Sequence, residues 1–95
     1  MTERIFTLHP DPQKAGVNID KGKYEVIKAA ILEVLKAAPE VSFSELRVAV
    51  RTLLGDTFPG SVSWYVTTVK LDLEAQGLIE RVPGKKSQHL RLKER

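Results

Sequence analysis

Four cations fall within the stretch GLIERVPGKKSQHLRL, from Gly77 to Leu92: Arg81, Lys85, Lys86 and Arg91. Guanidinium and ammonium groups attract phosphate oxygens, so this stretch has the residue types for contact with a nucleic-acid backbone. Leu78 and Ile79 precede a Pro83-Gly84 turn signal, and Leu90 and Leu92 follow it in alternation. That pattern predicts a hairpin with Lys85 and Lys86 at its tip. Phosphate contacts position a protein on a duplex and carry little sequence information. The same lysines also keep a hairpin soluble and discourage pairing along its edges.

Base edges call for a different set. Ser63 and Thr67 lie on the outward face of the helix expected before the hairpin, flanked by Lys70, and all three can hydrogen-bond a base. The face is not basic, because Lys70 is the only cation between Ser61 and Gln76 and stands against Asp72 and Glu74. Acids near phosphates oppose binding that is driven by counterion release. Trp64 and Leu71 share this face, and large apolar groups left outside mark an interface or lie under another part of the chain. Three covers stand open: the N-terminal arm through Ile5, Phe6 and Leu8, a homodimer partner, or a nucleic acid on which Trp64 stacks.

Other chemistries find no support. His9 and His89 are the only histidines and stand far apart, whereas a metal site needs three or four ligands at suitable spacing. Ser61, Ser63, Thr67 and Thr68 have no base arranged beside them to activate a hydroxyl. Pro83-Gly84-Lys85-Lys86 lacks the spacing and the following helix of a phosphate-binding glycine loop. The expectation is a protein that is not an enzyme and that carries no metal and no cofactor.

The 95-residue chain suits one domain with a modest core. Its net charge of +3 is unevenly placed: from Glu80 onward six basic side chains meet two acidic ones, so the preceding residues sum to about −1. Cysteine is absent, which excludes disulfides and suits a reducing compartment. No apolar run approaches the roughly 18 residues of a membrane span, and the opening MTERIFTLHP lacks the apolar core of a secretory signal. A cytoplasmic location away from membranes is expected.

The elements that must position these residues follow from periodicity and caps. Residues 1–19 form an arm expected to pack on the domain, with a strand over Arg4–Leu8 and a turn forced by His9-Pro10-Asp11-Pro12. Residues 20–95 form the domain itself. Asp20 caps a first helix whose stripe is Tyr24, Ile27, Ile31, Val34, Leu35 and Ala38, and Pro39 stops it. Ser42-Phe43-Ser44-Glu45 fits a capping box for a second helix, which buries Phe43, Leu46, Val50 and Leu53 or Leu54. Gly55 ends that helix, and Ser61 or Ser63 caps a third that reaches Gln76, with Val62, Tyr65, Val66, Val69 and Leu73 inward.

The fold class is therefore mainly α with a small β-hairpin, an α+β arrangement of three helices, a C-terminal wing and an extended N-terminal arm. Leu73-Glu74-Ala75-Gln76-Gly77-Leu78-Ile79-Glu80-Arg81 resembles the passage from recognition helix to wing in winged helix-turn-helix regulators. With Trp64-Tyr65-Val66-Thr67-Thr68-Val69-Lys70-Leu71-Asp72, it also resembles a small group of uncharacterised bacterial winged-helix proteins. The turn of about six residues before the third helix departs from the 3–4 residues usual in helix-turn-helix units. The resemblance implies double-stranded DNA binding in a transcription-regulator-like role. The alternative is a protein-interaction or homodimerisation module of the same fold, with Trp64 and Leu71 in the interface.

Overall fold

The computed structural model describes residues 3–93. Glu94 and Arg95, counted above in the basic tail, lie outside the described residues. Three helices and two small antiparallel sheets make an α+β fold. The elements run β1 (Arg4–Phe6), β2 (Asn18–Asp20), α1 (Lys21–Ala37), β3 (Val41–Ser42), α2 (Phe43–Leu54), α3 (Val62–Gln76), β4 (Ile79–Arg81) and β5 (His89–Leu92).

The arm doubles back on itself, pairing Ile5 with Ile19 in the β1–β2 register. Beyond the strands, Thr7 N–H donates to Val17 O at 2.7 Å and Val17 N–H donates to Thr7 Oγ1 at 2.9 Å. Gly16 makes this closure possible, because a Cβ there would lie 1.7 Å from Thr7 O. Alternation turns Ile5, Thr7 and Ile19 inward and leaves Phe6, Leu8 and Val17 outside. The expected Arg4–Leu8 strand thus ends at Phe6, where pairing gives way to the Thr7–Val17 clasp.

Each helix is stopped by its own chemistry. Asp20 caps α1 by accepting from Lys23 N–H, and Ala38 leaves in an extended conformation before Pro39. Ser42 and Glu45 form the reciprocal capping box of α2, with both bonds at 3.1 Å. Accepting from the Ser42 N–H holds the Glu45 carboxyl below its usual range. Ser61 caps α3 through Trp64 N–H, and Gly77 leaves it in the left-handed region at φ 77° while Leu78 N–H returns to Leu73 O.

Tyr24, Ile27, Ile31 and Leu35 of α1 meet Leu46 and Val50 of α2 and Val66, Val69 and Leu73 of α3 in one core. Leu54 packs against it, whereas Leu53 is exposed. Full burial of one such side chain contributes about 1.5–3 kcal/mol relative to exposure. The second sheet has the order β3-β5-β4, with Ile79 opposite Leu92 and Val41 opposite Leu90. Ile79 and Leu90 point into the core, so the hairpin is pinned beneath α3 while its tip at Lys85 and Lys86 stays exposed.

Candidate nucleic-acid interface

Three of the four hairpin cations are held by carboxylates. Arg81 Nε lies 3.5 Å from Glu74 Oε1, Lys85 Nζ lies 3.6 Å from Glu40 Oε2, and Arg91 Nε lies 2.6 Å from Glu80 Oε2. Lys86 has no such partner among the described residues. The Lys85 and Arg91 pairs are open to solvent on both sides. Pairs of this kind are worth about 0–1 kcal/mol, so a phosphate can displace their carboxylates at little cost, whereas Glu74 is largely buried.

Lys70 corrects the reading of the third helix. It is 2% exposed, with Nζ 3.2 Å from Glu74 Oε2 and 5.3 Å from the centre of the Phe43 ring. Phe43 and Glu74 lie over the flank of α3 on which Lys70 sits, so its ammonium reaches no base edge. Burial draws its pKa below the usual lysine range, and the attraction of Glu74 opposes that shift. Ser63 is half-buried and accepts from Arg51 Nη2 at 3.0 Å. Thr67 is exposed, with its hydroxyl donating to Ser63 O at 2.9 Å.

The structure adds residues from α2 that were not among the sequence-derived candidates. Ser44, Arg47, Val48 and Arg51 line an open cleft of about 200 Å³, which Ser63 of α3 closes. Arg47 lies over the Phe43 ring at 5.2 Å, on the same ring that Lys70 approaches. Glu74 then joins Lys70 to Arg81. Arg47 and Arg51 are spaced i, i+4, each directly after a buried position, Leu46 and Val50. That spacing is the signal the sequence carries for them.

Residues 4–90, from the start of the arm to the middle of β5, match the family described as "Family of unknown function (DUF6958)". The chain belongs to this family. No curated protein and no solved structure matches it. In this DUF6958 chain the match spans both the arm and the hairpin, and the two are joined to α3 by different side chains.

Asp72 makes the arm's connection. It is 1% exposed and accepts from Leu8 N–H at 2.8 Å, from Gln76 Nε2 at 2.6 Å and from the Tyr24 hydroxyl. Burial pushes the Tyr24 phenol above its usual range, and the Asp72 carboxylate pushes it further. This DUF6958 arm lays Leu8, Gly16 and Val17 beside Thr68 and Leu71, so Leu71 is half-covered. Trp64 is 47% exposed, set edge-on to Tyr65 at 4.9 Å. Of the three covers left open, the arm lies beside Leu71 and leaves Trp64 exposed, with Ile5 turned to the core and Phe6 turned outward.

A cleft of about 760 Å³ in the DUF6958 chain lies between the end of α1 and the hairpin. Its titratable lining is Lys36, Glu80, Arg91 and Lys93, without the carboxylate pair or histidine of proton-transfer sites. Among the described residues no three His, Cys, Asp or Glu stand close enough to hold a metal ion. No helix there is long and apolar enough to cross a membrane.

Proposed function

We propose that the chain is a winged helix-turn-helix domain that binds double-stranded DNA mainly through its phosphate backbone, in a regulator-like role. The observation that carries this reading is that α2, α3 and the hairpin each contribute cations linked through shared side chains. Arg47 and Lys70 meet at the Phe43 ring, Glu74 links Lys70 to Arg81, and the hairpin adds Lys85 and Lys86. Lys70 adds to the potential without reaching a ligand. Exposed Thr67 is the base-facing group, a single hydroxyl that supports weak sequence selectivity.

Binding of this kind falls near a Kd of about 10⁻⁴–10⁻⁶ M at physiological salt. Titration of a labelled random-sequence duplex, followed by fluorescence anisotropy, tests it. Absence of binding at low salt removes the reading.

The exposure of Trp64, with Phe6 and Leu8 also outside, favours a second reading, a homodimerisation module. It requires Trp64 emission to shift to shorter wavelength as protein concentration rises, in step with dimer formed in sedimentation. Unchanged emission and a monomer at high concentration exclude it.

A further inference from the structure

We propose that the cleft formed by Ser44, Arg47, Arg51 and Ser63 is a seat for a single phosphate group. The reading above makes that group a backbone phosphodiester of bound DNA, and the proposal rests on it only for the source of the phosphate. Of the five arginines described, Arg81 and Arg91 are paired with acids and Arg4 is occupied by Asn18. Arg47 and Arg51 have no carboxylate partner among the described residues. They stand one helical turn apart beside two serine hydroxyls, so the cleft gathers donors of two kinds without an opposing acid.

The hydrogen-bond inventory points the same way. Each guanidinium carries five N–H donors and no acceptor. Arg51 uses Nη2 on Ser63, which fixes its planar group across the cleft at 3.0 Å. The Arg47 guanidinium makes no hydrogen bond within the described residues, and its Nε is shielded from water without a partner. Its Nη groups are not shielded in this way and remain as donors for a ligand that brings acceptors. A tetrahedral phosphate brings several and matches the forked geometry of arginine better than that of lysine. Exposed Val48, between the two arginines in sequence and on the same lining, offers an apolar surface suited to the adjoining sugar.

The test uses the ¹⁵N-labelled full chain, read at the arginine Nε–Hε signals and the backbone amides, with inorganic phosphate as the first probe. Sodium chloride at matched ionic strength is the control. Saturable shifts at Arg47 and Arg51 Nε–Hε and at the Ser44 and Ser63 amides, caused by phosphate and not by chloride, are expected. Arg51→Lys keeps the charge, loses the fork, and is expected to weaken phosphate by about tenfold with the rest of the spectrum unchanged. Equal, unsaturated shifts with both salts overturn the proposal, as do saturable shifts confined to Lys85 and Lys86. In a second arm the random-sequence duplex replaces phosphate. Duplex binding that leaves the cleft unmoved overturns the seat while the DNA reading stands. A cleft that saturates with phosphate in a chain that binds no duplex supports the seat and removes the DNA reading.

Discussion

Arg51 Nη2 donates to Ser63 Oγ at 3.0 Å, tying the last turn of α2 to the first turn of α3. The contact spans the turn from Gly55 to Ser61 and sets one basic side chain beside the exposed start of α3. A face assembled from two helices and a hairpin cannot be judged from any one of them. The acids of α3 illustrate this, because Asp72 is buried against the arm and Glu74 is occupied by Lys70 and Arg81.

Lys70→Met should separate burial from binding. Arg81 still faces Glu74 in the variant, so the loss of stability should stay near 1–2 kcal/mol, below the cost of an uncompensated buried charge. Its affinity for random duplex should fall far less than that of Lys86→Ala, since only Lys86 is exposed. Urea unfolding and anisotropy on the same two variants check both statements.

Asp72→Ala should loosen the arm. The change leaves the Tyr24 hydroxyl and the Leu8 N–H without their acceptor, and bonds to a charged group are worth about 1.5–3 kcal/mol each. Unfolding should show a loss of that order or more. Hydrogen exchange at the Leu8 amide should accelerate beyond that of Leu73, which lies in the core.

Tyr24→Phe should change the response to alkali. The folded phenol is raised above its ordinary value of 10.0, so its contribution is fully present below pH 10.0 and is lost as pH rises beyond it. Lys70 acts with the opposite sign: its pKa is lowered from 10.5, so stability rises with pH up to that value. Lys70 is common to both proteins, and the difference between their stability curves isolates Tyr24. The wild type should lead by about 1–2 kcal/mol near neutrality, and the lead should shrink above pH 10.0.

Local signals carried most of the fold. The Ser42–Glu45 capping box, the Asp20 cap, the Gly77 exit and the stripes of α1 and α3 are all written within a turn or two of chain. Long-range relations were not legible. Val41–Ser42 is too short to announce that it joins the hairpin as a third strand. A helical wheel places Lys70 on a flank but cannot show that Phe43 and Glu74 cover it. Asp72 and Leu8 lie 64 residues apart, and no spacing rule links a helix carboxylate to a backbone N–H in an arm. The arginines of α2 were legible as a pair, but Ser63 and the cleft it completes belong to the tertiary fold.

The salt dependence of duplex binding tests the central claim most directly, measured on the wild type, on Arg47→Ala/Arg51→Ala and on Lys85→Ala/Lys86→Ala. Plots of log Kd against log salt should be linear and steep for the wild type, and each double variant should lower the slope by about 1–2. A wild type that binds no duplex at low salt, or a slope that neither double variant alters, contradicts a DNA-binding face built from α2, α3 and the hairpin.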